Sequence, residues 1–571
     1  MPTTVAHPRS RPAMAVACHS LPRWRQAARV AACAALTLLA ACGGSDDPAP
    51  GAAPLAESCA GFVPTSLPHG AGFVRTELRE ARDEVETHYM TGEVIAMPRA
   101  CIVRGTIVSS PASTIQWAVE LPEGSDWNGK TLTVGGGGFD GYIPTDDPWH
   151  VKYAAGPSSL HFVRISSDSG HATEDWAWGG DEAALRNHAH AANHLALDVG
   201  VRIATQFYGR EPTRRYMVGH SNGARSGLMA AGRYPDDYDG VLALAPAISQ
   251  QAHQVNMGPF NRWIYGYDAQ GVKDPAVPGE SRWISPAKSA LFAAAEIAAC
   301  DALDGLADGI IGNVEACNYV PTDLQCADDV AGVTDDSCLT SGQIEAIRLN
   351  YTDKAVPLEL ANGMTGYERY GRGGAATGDW QVYGFGFEFD GSFFTKGFSY
   401  IAPTSVIQTL TGDPTADSIN HDPLTMVPQW QTLAEVMEPP ASLREFGERG
   451  KKLLVWYGLA DTCVSVYRTA SYLEQVRKDS GDALFDRYAR LVTSPAVGHD
   501  LTGPGAAEAD LLGALVAWVE RDEAPDGLVA RKTDAAGQTL FERPLCPYPA
   551  YPHYDGSGDP ASASSFSCRV D

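Results

Sequence analysis

Ser221, Asp461 and His499 are the residues whose types and settings can carry covalent chemistry. A serine hydroxyl attacks an acyl carbon only when a base takes its proton, and an imidazole is a reliable base only when an acid holds it in one tautomer. Ser221 stands in Gly219, His220, Ser221, Asn222, Gly223, a Gly-x-Ser-x-Gly pattern. Glycines on both flanks permit a turn tight enough to project the hydroxyl. Asp461 follows Tyr457, Gly458, Leu459 and Ala460, and His499 follows Val497 and Gly498. Charge developing on the attacked oxygen needs donors fixed in advance, each worth about 3 to 4 kcal/mol. The amide of Asn222 is one expected donor, and Gly137 or Gly138, in the run Gly135 to Gly138, supplies the other.

The five-residue pattern recurs by chance, so the surrounding elements decide its meaning. A strand at Leu132 to Val134 runs into the glycines, and a helical stretch covers about 183 to 207. A short apolar strand at Arg215 to Val218 meets the serine turn, and an Ala-, Leu- and Met-rich helix begins at once. Strand, sharp turn and helix are the context a nucleophile elbow requires. Further strands are expected at Val241 to Ala247, Lys452 to Tyr457 and Tyr488 to Val492, and Glu508 to Val519 has helical apolar periodicity. Asp461 and His499 thus fall just past strand ends, and Ser, Asp, His is the chain order of the α/β-hydrolase fold. The expectation is an α/β chain of that fold, its core in two parts, 59–248 and 446–571, with a large lid domain inserted at 249–445.

The 571 residues, 44% hydrophobic, are enough for a large core. A net charge of −26 opposes binding to a phosphate backbone, which excludes nucleic acid as the default partner. In residues 1–41 the charged side chains are Arg9, Arg11, Arg23, Arg25 and Arg29, followed by the apolar run Val30 to Ala41. That is the outline of a signal peptide. Leu39, Ala40, Ala41, Cys42 resembles a bacterial lipobox, so Cys42 is a candidate for lipidation, and 42–58 reads as a flexible tether. The expected location is therefore exported, either periplasmic or anchored at the outer membrane as a lipoprotein. Twelve cysteines, less Cys18, Cys33 and Cys42, leave nine, which should pair in an oxidising compartment. Local spacing favours Cys300 with Cys317, Cys326 with Cys338, and Cys546 with Cys568, leaving Cys59, Cys101 and Cys463 open. His190 and His194 share a helix face but lack a third ligand, and read as ordinary helix histidines.

Four segments together resemble the tannase and feruloyl esterase family: Gly135 to Gly141; Ser167, Asp168, Ser169, Gly170, His171; the elbow continued through Arg225, Gly227, Tyr234, Pro235 and Gly240 to Ala247; and Arg543 to Pro549. The resemblance implies hydrolysis of small esters of aromatic acids through an acyl-enzyme, with a lid over the aromatic group. It also implies a structural calcium ion held by Asp301, Asp304 and Asp308 and the carbonyls of Leu306 and Ile310, an all-oxygen set suited to a hard cation. It pairs Cys59 with Cys101 and leaves Cys463 free. One departure stands out. Where the family carries two cysteines that staple the serine to the histidine, this chain has His220 and Asp500. A bridge across so long a loop is worth roughly 5 kcal/mol in the loop-entropy model, and the expectation here is a charge-assisted hydrogen bond between His220 and Asp500, worth about 1.5 to 3 kcal/mol. Competing readings are an esterase of aliphatic hydroxyalkanoate oligomers and a non-catalytic surface binding protein on the same scaffold. Three matched residues in order argue against the latter.

Overall fold

The computed structural model describes residues 54–570 apart from short stretches at 87–92, 173–176, 269, 278, 361 and 393–394. The signal peptide and Cys42 lie outside the described residues. The tether does not run to residue 58 as expected. Helix α1, Leu55–Ala60, buries Leu55 and Cys59, and the Cys59–Cys101 disulfide fastens it to the sheet.

Ten strands build one sheet: β1 Gly72–Arg79, β2 Ala100–Ser110, β3 Ser113–Leu121, β4 Lys130–Gly135, β5 Val163–Ser167, β6 Arg214–His220, β7 Gly240–Leu244, β8 Lys452–Gly458, β9 Ala489–Ser494 and β10 Cys546–Pro547. Their spatial order is β1-β2-β3-β5-β4-β6-β7-β8-β9-β10. From β5 to β9 neighbours are parallel, while β1, β2, β3 and β10 pair antiparallel at the two edges. The central strands β7 and β8 read as near-continuous apolar runs because both their faces are covered. Alternate residues go to opposite sides. Met217, Val241, Leu453 and Val455 pack on one face with α2, Ala192–Tyr208, and α3, Asn222–Arg233. Tyr216, Val218, Leu454 and Trp456 pack on the other with Leu512, Leu515 and Trp518 of the C-terminal helix Leu511–Arg521.

Buried Glu120 of β3 ties the antiparallel half to the parallel half, bonding Arg79 of β1 at 2.6 Å and Arg164 of β5. Removing the carboxylate would strand two buried cations, a change that costs about 3 to 5 kcal/mol.

Between β7 and β8 the described chain adds no strand to this sheet, and its regular elements are helices joined by irregular stretches. It begins with α4, Gln250–Ile264, and buries Phe292, Trp380, Tyr400 and Trp430 in an apolar cluster shared with Phe139, Trp178 and Met229 of the preceding chain. Four disulfides close: Cys59–Cys101, Cys300–Cys317, Cys326–Cys338 and Cys546–Cys568. Among the described residues no helix is long and apolar enough to cross a membrane.

Candidate active site

β6 ends at His220 and α3 begins at Asn222, so Ser221 alone makes the turn, at φ 54° and ψ −118°. A positive φ in a residue with a side chain is strained and persists only where neighbours enforce it. Here they do. The Ser221 N–H donates to Leu244 O at 2.9 Å, and its carbonyl accepts from the Ala247 N–H at 3.1 Å. The flanking glycines are a steric requirement. A Cβ on Gly219 would lie 2.2 Å from the Gly223 carbonyl carbon, and one on Gly223 would lie 2.3 Å from Gly136 O. The serine turn is therefore packed directly against the glycine run after β4.

The three residues chosen from sequence meet there. His499 Nε2 lies 3.0 Å from Ser221 Oγ, and His499 Nδ1 lies 2.7 Å from Asp461 Oδ2. The other Asp461 oxygen accepts the amides of Cys463 and Val464 at 2.8 and 3.0 Å, which fixes the carboxylate plane. Ser221 is 8% exposed, His499 2% and Asp461 1%. Burial opposes charge on the His499 ring, but the Asp461 carboxylate first, with the Cys463 sulfur beside it, outweighs burial and holds the imidazole well above its ordinary value. An imidazole so placed can take the serine proton and be stabilised as the cation it becomes.

The two candidate glycines differ in what their amides do. The Gly137 N–H donates to Tyr142 Oη at 2.9 Å. The amides of Gly138 and Asn222 have no partner in the described chain, and a Cβ on Gly138 would meet nothing within 4 Å. Those two N–H groups remain available to an incoming oxygen. The Asn222 side chain is itself held, donating to Asp140 Oδ1 at 2.6 Å and accepting from Arg225 Nε at 2.8 Å. Asp140 also accepts from Ser169. Three of the four sequence segments that carried the resemblance therefore converge on one turn.

His220 and Asp500 do not pair. His220 Nε2 donates to the His499 carbonyl at 2.7 Å, and its ring lies 4.7 Å from that of Trp149 and 4.6 Å from that of His499. Burial drives this imidazole far below its ordinary value. It resists the charge that an ion pair needs, whereas a neutral N–H suffices for a peptide carbonyl. Asp500 turns instead to Tyr383 Oη, 2.6 Å from both carboxylate oxygens.

Two contributors escape sequence reasoning. Asp379, 4% exposed, accepts the His499 N–H at 2.8 Å and the Thr462 N–H at 3.3 Å. Burial, then the charges of Asp461 and Asp500, push its carboxyl up out of the usual range. Tyr383 sets its ring 5.0 Å from His499 and 6.2 Å from Phe398, which in turn lies 6.2 Å from Phe139 beside Gly138. Both come from the segment between β7 and β8, where no local pattern separates them from other acids and aromatics. Cys463 is free and buried, its thiol pushed by burial up to about 12, which makes it an inert side chain. His190 and His194 bond Tyr234 and Asp237.

The acidic loop is organised around its own carboxylates. Asp301 accepts the amides of Asp308, Gly309 and Ile310, Asp304 accepts those of Leu306 and Gly312, and Asp308 pairs with Arg543. Among the described residues no three His, Cys, Asp or Glu side chains are grouped to hold a metal. Asp304 is 4% exposed, and burial followed by the charges of Asp308 and Asp301 pushes it up to about 7.

A strand-turn-helix serine at the rim of a mostly parallel sheet, with histidine and acid on the following loops, defines an α/β-hydrolase. Residues 101–569 match the family described as tannase and feruloyl esterase. An uncharacterized esterase of Agrobacterium fabrum is 31% identical, over 82% of this chain and 86% of its own. The mono(2-hydroxyethyl) terephthalate hydrolase of Piscinibacter sakaiensis is 28% identical, over 84% and 86%. A probable feruloyl esterase of Arthroderma benhamiae is 30% identical, over 80% and 82%. The crystal structure of feruloyl esterase B from Aspergillus oryzae superposes with a TM-score of 0.73 at 20% identity, over 90% of this chain and 99% of that one. The chain belongs to the tannase and feruloyl esterase family, and is a carboxylic-ester hydrolase.

Proposed function

We propose that this protein hydrolyses small esters of aromatic acids, phenolic or terephthalic in type, through an acyl-enzyme on Ser221. The observation that carries the mechanism is His499 bridging Ser221 Oγ at 3.0 Å and Asp461 at 2.7 Å. In the first half-reaction His499 Nε2 takes the hydroxyl proton as Oγ bonds to the ester carbon. The tetrahedral oxyanion is received by the amides of Asn222 and Gly138. Collapse expels the alcohol, which takes the proton from His499. Water then repeats the sequence on the acyl-enzyme and releases the acid. The aromatic preference is supported by the rings of Tyr383, Phe398 and Phe139 around the site, and by the activities named in two of the relatives. The segment between β7 and β8 acts as a lid over the aromatic group.

The acidic loop would hold a structural calcium ion through Asp301, Asp304, Asp308 and the carbonyls of Leu306 and Ile310. In support, the donors are all oxygen, and Asp304 is buried close enough to Asp308 and Asp301 for their charges to raise its carboxyl. The ion's role is rigidity, away from the chemistry. The mature protein is exported to the periplasm or anchored at the outer membrane through lipid on Cys42. Four disulfides accord with folding in an oxidising compartment.

The test is turnover of methyl gallate, methyl ferulate, mono(2-hydroxyethyl) terephthalate and a hydroxybutyrate dimer, together with labelling by an organophosphonate, each with Ser221→Ala as control. Aromatic turnover and labelling, both lost in Ser221→Ala, are expected. Cleavage of the aliphatic dimer alone would overturn the substrate class, and absence of any turnover or label would leave a binding protein.

A further inference from the structure

We propose that His220 and Asp379 are positioning residues that hold His499 by gripping its backbone from both sides, an inference that rests on reading His499 as the general base. The His499 N–H donates to Asp379 Oδ2 at 2.8 Å, and the His499 carbonyl accepts from His220 Nε2 at 2.7 Å. Bonds from the ring to Ser221 and Asp461 set its rotation, but they do not set where the Cα sits. That position belongs to a loop with little regular structure of its own, in which Ala496 and Leu501 both adopt positive φ. The two backbone bonds supply what a strand ladder would otherwise provide.

Each grip also ties His499 to another member of the site. His220 directly precedes Ser221, so its bond joins the chain before the nucleophile to the chain at the base. The Asp379 oxygen that accepts the His499 N–H also accepts the N–H of Thr462, the residue after Asp461, at 3.3 Å. One oxygen therefore joins the acid loop to the base loop. The fit is close, because a Cβ on Gly498 would lie 2.2 Å from Asp379 Oδ1. Both residues are enclosed, His220 at 0% and Asp379 at 4% exposure. Asp379 acts here as an acceptor rather than as a charge. Since both amides reach one oxygen, the carboxamide oxygen of asparagine can replace it.

The test is steady-state kinetics of the full mature chain on p-nitrophenyl acetate, with Ser221→Ala as control. Asp379→Ala and His220→Met should lower kcat about 100-fold, the scale of an ångström's misplacement of a catalytic group, with KM within about threefold, as for an interaction that acts only in the transition state. Asp379→Asn should recover at least about tenfold of that loss by restoring the acceptor, and His220→Gln should do the same by restoring an N–H donor in the shape of methionine. The proposal is overturned if asparagine is as poor as alanine, if glutamine is as poor as methionine, or if the losses fall on KM alone. Should Asp379→Ala fail to fold, the equal-sized His220→Met and His220→Gln pair decides. Full activity in Ser221→Ala would instead refute the esterase mechanism, a separate and distinguishable failure.

Discussion

Replacing Gly223 by alanine inserts one methyl group between the serine turn and the glycine run. The added carbon would lie 2.3 Å from Gly136 O, 2.6 Å from Gly135 C and 2.7 Å from Gly135 O. All three are backbone atoms, so no rotamer relieves the clash. Non-bonded carbons sit comfortably near 3.5 Å, so the two segments must part by roughly 1 Å. Overpacking of this kind costs about 1 to 3 kcal/mol of stability. The functional loss is larger, because the movement separates the amide of Asn222 from that of Gly138. Losing one such donor costs about 2.7 to 4 kcal/mol in the transition state, or about 100- to 1,000-fold in kcat. The assay is kcat on a p-nitrophenyl ester beside thermal unfolding, with Gly227→Ala on the same helix as control. There the new methyl meets Val241 Cγ1 at 2.9 Å and Met217 Sδ at 3.9 Å, side-chain atoms and none of the glycine run, and the gain in helix propensity, about 1 kcal/mol, offsets part of the overpacking against the stiff Val241. If Gly223→Ala keeps kcat within about threefold of the parent, a level at which no donor has been displaced, the argument that this contact sets the oxyanion donors is wrong.

Asp461→Asn should lower kcat by about 10,000-fold with little change in folding: its oxygen keeps the amides of Cys463 and Val464, so its NH2 faces His499 Nδ1 and enforces the wrong tautomer. A loss below about tenfold on the same assay would show that the acid is not the orienting group. Because His499 works unprotonated and Asp461 holds its pKa above the ordinary value, the ascending limb of kcat/KM against pH should lie above 6.5. A limb at or below that value contradicts the coupling. Chelation should lower the melting temperature and calcium should restore it, by about 2.7 kcal/mol at a hundredfold excess over Kd. Identical melts in chelator and in calcium would remove the ion from the account.

The parts of the site legible in sequence are those written in local sterics and chain order. Gly219 and Gly223 announce a turn no larger residue can make, and Asp461 and His499 follow strands by the fold's own rule. Asp379 and Tyr383 were not legible, since each meets the site across about 120 residues and carries no local pattern. His220 was located but given the wrong partner. Replacing two cysteines suggested side chain against side chain, while a buried neutral imidazole found a peptide carbonyl, which leaves no trace in residue types. At the N-terminal edge, Gly, Asp, Pro and Ala suggested a flexible tether as far as residue 58, yet Leu55 and the Cys59 bridge were sufficient to seat a helix.

On the proposed acyl-enzyme route, the order of product release follows from the single base. His499 Nε2 lies 3.0 Å from Ser221 Oγ, so the alcohol it protonates and the water it activates use the same place beside the acyl carbon in turn. The alcohol must vacate before water can take its station, so it leaves first and the acid last. A concentrated small alcohol will compete with water for that same vacancy and divert the acyl group into a new ester.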